Sequence, residues 1–395
     1  MRNAGSATAF QAPAYHRGMW QATLSRRRFT SSLAAAGGAL VAGLKPSLAH
    51  ASRTKADARD LIQLNSNENP YGPSPKALEA MSGAQVVAGR YPDDLEEEML
   101  EALAEHHGIA ATRIVMGCGS SEILRLADAA FLAPGRTAIA AEPTFEAVLE
   151  YAGVHGGEAV KVPLDERFRH DLGRMAAACD ARTALVYVCN PNNPTGTIVG
   201  GAELVAFIEK VPATAVVLVD EAYHHFVEDP GYRSMADVLD RFPNLVVVRT
   251  FSKIHGMAGM RLGYALASEA NAKTLRQHGY WGNLNAAVLA AGRESLRDAD
   301  GIARQRGLLN DTRRQLCAEL ARDGRRYMPS EANFLMIDVG RDVEPVVQAF
   351  RERGILVGRR FPALPTWLRV SIGTPSETSA FLRVLREVVP LRAAA

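Results

Sequence analysis

Four cysteines in 395 residues, Cys118, Cys179, Cys189 and Cys317, are too few and too scattered for a disulfide framework, and no metal-ligand spacing appears among them. Cys189 sits in an apolar stretch, so buried thiols are expected, with a disulfide left open for an oxidising compartment. No excess of basic charge is present: 45 Lys and Arg stand against 43 Asp and Glu, which gives nucleic acid and anionic membrane nothing to bind. The weakly apolar run Leu33 to Leu44 is too short and too small-sided to span a hydrocarbon core of ~30 Å.

One further absence is local. The first 51 residues contain no Asp or Glu, and their six basic residues include Arg26 and Arg27 within "SRRRFTSSLAAAGGALVAGL". A twin-arginine block, an apolar run and then Ala49-His50-Ala51 as an A-x-A site predict a twin-arginine export signal over residues 1–51, cut after Ala51. The 24 residues before Ser25 are long for the leading part of such a signal, so Met19 is a candidate start. The mature chain then carries 39 basic and 43 acidic residues, a net charge of −4, and its expected location is periplasmic.

What is present after residue 51 reads as an enzyme. Residues 60 to 90 are dense in Asn, Pro and Gly ("LNSNENPYGPSP") and predict an irregular arm over 52–90. "DDLEEEMLEALAEHHG" follows as a helix with an acidic first turn and Gly108 beyond its end. Six short apolar runs then alternate with helical stretches: "RIVMG", "TAIAA", "ALVYVC", "AVVLVD", "NLVVVRT" and "LGYALA". That alternation predicts an α/β fold with a parallel or mostly parallel sheet. Past residue 288 a long polar helix, "NFLMIDVG", a helix near 344–354, "GILVG" and "WLRVSIGT" predict a smaller α+β unit over 288–395, beside a large domain over 91–287.

Ligands of open parallel sheets bind beyond the carboxyl ends of the strands. Four strand ends here carry polar groups. "RIVMG" runs into Gly119-Ser120-Ser121, where free N–H groups and two hydroxyls at a helix start suit an anion such as phosphate, although alone this could be a plain serine cap. "ALVYVC" runs into "NPNNPTG", a turn of unusual specificity. "AVVLV" ends in Asp220-Glu221-Ala222-Tyr223, where a carboxylate in an apolar setting needs a cationic partner. "NLVVV" ends in Arg249-Thr250-Phe251-Ser252-Lys253, and Arg261 follows across "IHGMAGM", whose glycines allow a tight turn. Any one of these has an ordinary structural explanation; all four at successive strand ends point to pyridoxal 5'-phosphate. That cofactor needs a lysine for covalent attachment (Lys253), an acid for its ring nitrogen (Asp220), donors for its phenolic oxygen (Tyr223, Asn193) and an anion cradle (Ser120, Ser121, Thr250, Ser252, Arg261).

At these residues the sequence resembles the fold-type I aminotransferases of class I/II from about Asp60 to Arg386, with "NPNNPTG", "DEAY", "TFSK…GMRLGY" and "LRVSIGT" in the family's order. "LNSNENPYGPSP", "GRYPDD" and "GCGSSEIL" make it most similar to the histidinol-phosphate aminotransferases. The resemblance implies a mostly parallel seven-stranded sheet and Lys253 as Schiff-base lysine and proton carrier. It implies Phe145 stacked on the cofactor ring, and a homodimer in which Tyr91 reaches the cofactor phosphate of the neighbouring subunit. It further implies that Arg369 holds the substrate carboxylate, that Asn67 and Tyr71 close over the substrate, and that the Asn193–Pro194 bond is cis. The family commonly has an arginine directly after the "GI-x-V" strand for a substrate phosphate; here Gly358 comes first, then Arg359 and Arg360. The implied reaction is transfer of an amino group from an amino acid or histidinol-phosphate-like amine to a 2-oxo acid such as 2-oxoglutarate. An exported aminotransferase for another, unphosphorylated amino acid and a threonine-phosphate-type decarboxylase remain alternatives.

Overall fold

The computed structural model describes residues 61–390, so the expected export signal and the first residues of the arm lie outside the described residues. Eleven strands appear among the described residues, in chain order: β1 (Ile62–Leu64), β2 (Ile114–Gly117), β3 (Thr137–Glu142), β4 (Glu158–Pro163), β5 (Thr183–Cys189), β6 (Val216–Asp220), β7 (Leu245–Thr250), β8 (Gly263–Ala267), β9 (Phe334–Asp338), β10 (Ile355–Val357) and β11 (Trp367–Ser371). Strands β2 to β8 form one seven-stranded sheet in the order β2-β8-β7-β6-β5-β3-β4. It is parallel except for β8, which runs antiparallel to both of its neighbours. The central strands are apolar on both faces because both are covered: every residue of β5, β6, β7 and β8 is buried. Strand β4 is absent from the sequence reading. It lies at the sheet edge, where "EAVKVP" buries only Val162 and so carries no continuous apolar run.

The helices are α1 (Pro75–Gly83), α2 (Asp93–His107), α3 (Ser120–Phe131), α4 (Ala147–Ala152), α5 (Leu172–Ala177), α6 (Gly201–Ile208), α7 (Glu269–Arg276), α8 (Ala286–Arg297), α9 (Ala299–Arg322), α10 (Glu344–Glu352) and α11 (Pro375–Val388). Helix α2 starts with Asp93, Asp94 and Glu96 and stops at Gly108 in the left-handed conformation, as its sequence predicts.

Three expectations need correction. The segment 60–90 is not irregular throughout. Ser74 accepts a hydrogen bond from the Ala77 N–H and Pro75 sits at the first helical position, a start signal for α1 that the Pro-rich approach obscures. Upstream, β1 pairs in parallel with β10. The single long helix after residue 288 is two helices, α8 and α9, broken at Asp298, whose backbone leaves the helical region and whose carboxylate takes Lys76 at 3.0 Å. Val288, Leu289 and Ala291 of α8 pack into the core of the large sheet, so that core reaches past the boundary expected at residue 287.

A second sheet pairs β9 and β11 antiparallel, with Arg369 opposite Met336. Its buried cluster includes Phe334, Phe350 and Phe381 and takes in Tyr223 and Ile254 from the strand-end loops of the large sheet. This shared packing holds β11 over the carboxyl edge of β5, β6 and β7. All four cysteines are free thiols, and Cys189 is buried as expected. Among the described residues no helix is long and apolar enough to cross a membrane, and no group of His, Cys, Asp and Glu could hold a metal ion.

Candidate active site

The strand-end groups converge. Antiparallel β8 lies between β2 and β7, and Gly263 is the register partner of both Gly117 and Thr250, so the ends of β2 and β7 lie on the same edge. At position 263 a Cβ would overlap the Ser120 backbone, which lets the start of α3 press against the sheet. Gly119 has a φ of 77°, and a side chain there would strike the Arg261 guanidinium. Arg261 itself holds a φ of 64°, sparsely populated for a residue with a side chain. Its Nη1 donates to Ser252 Oγ at 3.3 Å, and Thr250 Oγ1 donates to the same oxygen at 3.0 Å. Ser120, Ser252, Thr250 and Arg261 therefore form one cluster of hydroxyls and a cation at a helix start, the chemistry of a phosphate cradle.

Asp220 ends β6 and is 3% exposed. Tyr187 Oη donates to its Oδ2 at 3.0 Å and the Ala222 N–H to its Oδ1 at 3.0 Å. Burial raises its carboxyl to about 6, against the hydrogen bond from Tyr187 and the charge of Lys253, which lower it. Among the described residues no ion pair compensates this carboxylate. A buried acid held by neutral donors fits a cationic ring nitrogen as the missing partner.

Lys253 is half-buried, with its Nζ 3.3 Å from the Ser66 carbonyl and 5.6 Å from the centre of the Tyr223 ring. Burial lowers its ammonium to about 8, assisted by the positive charges of Arg369 and Arg261. Tyr223 is buried edge-on to Phe334, and its hydroxyl accepts from Asn67 Nδ2 at 3.2 Å, which leaves its own proton to donate. Asn67 sits at a φ of 54°, pinned by its N–H to Ser371 Oγ (2.7 Å) and by Asn333 Nδ2 to its carbonyl (3.0 Å).

Arg369 and Ser371 alternate along β11 and share a face. Arg369 Nη1 donates to Asn193 Oδ1 at 2.6 Å and Nη2 to the Asn65 carbonyl at 2.9 Å, while its buried Nε has no partner. An unpartnered buried donor on a guanidinium is what an incoming carboxylate would satisfy. The Asn193–Pro194 bond is cis.

Other expected residues lie outside this hydrogen-bonded cluster. Phe145 lies on the loop after β3, partly buried against the core, and that loop is tied to the "NPNNPTG" turn by Thr144 Oγ1 to Asn192 Oδ1 at 2.7 Å. Tyr71 is at the margin of exposure, where burial and the charge of Glu377 raise its hydroxyl. Tyr91 is 75% exposed and meets Trp281, with ring centres 5.6 Å apart. Arg359 pairs with Glu146 at 2.6 Å, whereas Arg360 turns to Asp342 at 3.3 Å and does not join the cluster. The sequence reading lacks Tyr187. Its signal was the two-residue alternation of β5, which puts Tyr187 and Cys189 on the face that Asp220 shares through the pair Cys189–Asp220.

Comparison with known proteins identifies the family. The family described as aminotransferase class I and II matches residues 59–385. The chain is 40% identical over 334 residues to a histidinol-phosphate aminotransferase of Moorella thermoacetica, covering 84% of this chain and 86% of that one. It is 41% identical over 336 residues to histidinol-phosphate aminotransferase 2 of Pseudomonas aeruginosa, covering 84% and 90%. A solved structure of a protein described as a histidinol-phosphate aminotransferase from Erwinia carotovora atroseptica superposes with a TM-score of 0.80 at 33% identity, covering 83% and 95%. The Sinorhizobium meliloti histidinol-phosphate aminotransferase, solved in complex with pyridoxal-5'-phosphate, gives 0.78 at 27% identity, covering 83% and 90%. With its strand-end lysine, its buried acid and these relatives, the chain belongs to the class I and II aminotransferases and is a pyridoxal-phosphate-dependent transaminase of fold type I.

Proposed function

We propose that this transaminase moves an amino group from an amino acid or a histidinol-phosphate-like amine to a 2-oxo acid such as 2-oxoglutarate, in a site where Lys253 attaches the cofactor and Arg369 receives the substrate anion. The observation that carries the reading is the buried, unpartnered Nε of Arg369, on a guanidinium whose positive charge helps to lower the Lys253 ammonium.

When bound, pyridoxal phosphate supplies an electron sink for the pair released at the substrate α-carbon. The rest is work for side chains. The Ser120 and Ser121 N–H groups at the start of α3, with Thr250, Ser252 and Arg261, would hold the phosphate. Asp220, steadied by Tyr187 and the Ala222 N–H, would be drawn into its ionised form by a positive ring nitrogen and keep that nitrogen protonated. Tyr223, with its oxygen bonded by Asn67, would donate its proton toward the phenolic oxygen beside Asn193. Phe145 would pack against the ring. Lys253, with an ammonium lowered to about 8, holds a useful neutral fraction near pH 7.5 and would take the α-proton and return it. Asn67 and Tyr71 would close over the substrate.

Two further parts of the reading concern the protein's surroundings. Tyr91, Trp281 and Tyr280 leave three large aromatic rings more than 70% exposed, a surface that a second copy would cover while presenting Tyr91 to the neighbouring cofactor phosphate. Residues 1–51 would direct twin-arginine export of the folded, loaded protein to the periplasm. Fractionation tests the latter: full-length protein retained in the cytoplasm contradicts it.

A donor screen tests the substrate proposal. The purified mature protein with pyridoxal phosphate and 2-oxoglutarate should form glutamate from histidinol phosphate or from one of the common amino acids. Release of carbon dioxide without a 2-oxo product would favour the decarboxylase alternative.

A further inference from the structure

A transaminase takes its amino donor and its oxo acceptor in one pocket, and the side chains around Arg369 divide the work of binding their anionic groups unevenly. Gly358 directly follows β10 and donates its N–H to the Arg369 carbonyl at 2.8 Å. A Cβ at 358 would lie 2.8 Å from Arg369 Cβ and 2.9 Å from its carbonyl oxygen, so with Arg369 in this pose no second arginine fits at that position. The next residue supplies the second cation. Arg359 lies over the Phe361 ring, 4.5 Å from its centre, and Arg369 lies 5.2 Å from the same centre. The two guanidiniums thus share one ring, but they differ in their commitments. Arg369 is tied to Asn193 and Asn65, inside the cleft. Arg359 gives its Nη2 to Glu146 at 2.6 Å, with the two side chains 51% and 36% exposed. Glu146 follows Phe145 on the loop that Thr144 fastens to Asn192, so this acid stands on the same wall as the residue expected against the cofactor ring. Both charges are felt inside: Arg359 lowers and Glu146 raises the Arg369 guanidinium, whose main perturbation is burial.

We infer that Glu146 is a specificity-determining residue that holds Arg359 as a reserve cation, so that a monoanionic substrate uses Arg369 alone and a dianionic one, a dicarboxylate or a phosphate ester, must draw Arg359 away from Glu146. With the pair closed, Arg359 and Glu146 cancel and Arg369 is left to match a single carboxylate. With the pair open, a second negative group finds a guanidinium on the shared ring. An exposed ion pair is weak enough for a ligand to replace it. The site is thereby biased toward monoanionic partners without excluding 2-oxoglutarate or a phosphorylated amine. This inference rests on the transaminase site proposed above.

The test compares wild type, Glu146→Gln, Arg359→Gln and the double variant, each loaded with pyridoxal phosphate. Dissociation constants are measured for glutarate and inorganic phosphate as dianionic probes and for butyrate as the monoanionic one. In parallel, kcat/KM is measured for 2-oxoglutarate against 2-oxobutyrate. Glu146→Gln should raise the dianion-to-monoanion ratio about two- to fivefold, the range of an exposed pair. Arg359→Gln should lower it roughly tenfold, as expected for a lost hydrogen bond to a charged group. In the double variant the Glu146 change should have no further effect, because there is no cation left to release. An unchanged ratio in Glu146→Gln overturns the inference, and so does an increase of the same size in the Arg359→Gln background, which would mean a general field and not a released partner. Absence of turnover in wild type with every donor would count against the transaminase substrates proposed above, while the binding ratios would still decide the role of Glu146.

Discussion

Two carboxylates stand side by side at the end of β6, and their surroundings have almost nothing in common. Asp220 and Glu221 are 3% and 1% exposed. Glu221 points away from the cleft and is fully matched: Arg249 Nε and Nη2 reach its Oε2 at 3.1 and 2.9 Å, Ser234 Oγ donates at 2.8 Å, and the Met235 N–H bonds Oε1 at 2.7 Å. Among the described residues Asp220 has one hydroxyl and one N–H, and no cation in an ion pair with it. Equal burial therefore has opposite meanings. The Glu221 side is a closed structural network, whereas on the Asp220 side no cation among the described residues forms an ion pair, which is the setting the proposed role as acid for a cofactor ring nitrogen requires.

The comparison can be broken most severely at the cleft. Lys253→Ala should remove turnover by at least roughly 10⁴-fold, since the proposed covalent attachment and proton transfer would both be lost, while the melting transition of the apo-protein persists. Next come opposite effects on stability from the two acids. Glu221→Gln leaves the Arg249 charge buried without its counter-ion and should cost about 3–5 kcal/mol in denaturant unfolding. Asp220→Asn should do the reverse to the apo-protein while weakening cofactor binding and slowing turnover. The Asp220 carboxyl is raised from 3.8 to about 6, so the folded state prefers it protonated. The wild type is penalised progressively as pH rises from about 4 to 6, and fully above that. The variant should therefore match wild type near pH 3.8 and gain on the order of 2–3 kcal/mol by pH 7.5. A uniform loss of stability would show that Asp220, like Glu221, is structurally satisfied.

A smaller effect sharpens the Lys253 side. In the proposed role only the neutral amine of Lys253 would be nucleophilic, and its ammonium is lowered from 10.5 to about 8. The stopped-flow rate of visible absorbance change on mixing apo-protein with pyridoxal phosphate should rise with pH through about 8 and then level off. A rise continuing to pH 10 would mean that burial and the Arg369 and Arg261 charges do not act on Lys253.

Much of this was legible in the sequence because the strongest signals coincide with the site. The buried strands β5, β6 and β7 are continuous apolar runs; Asn190 and Asp220 stand where the first two stop, and the third leads through Arg249 and Thr250 to Lys253. What was not legible depends on partners distant in the chain. Edge strand β4 has no two-sided apolar run to show. The break between α8 and α9 at Asp298 comes with a partner, Lys76, 222 residues away. Tyr187 reads as one more apolar residue until β5 is paired with β6, and Glu146 reads as a helix-start acid until the chain returns with Arg359. The difference between Asp220 and Glu221 is of the same kind: nothing in "VDEAY" says which acid meets Arg249.

The account stands most directly on where the cofactor attaches. Purified protein treated with pyridoxal phosphate, reduced with borohydride and digested should carry the pyridoxyl mass on the peptide containing Lys253, and Asp220→Asn should lower the cofactor affinity that precedes labelling. A label on another lysine, or none at saturating cofactor, would contradict it.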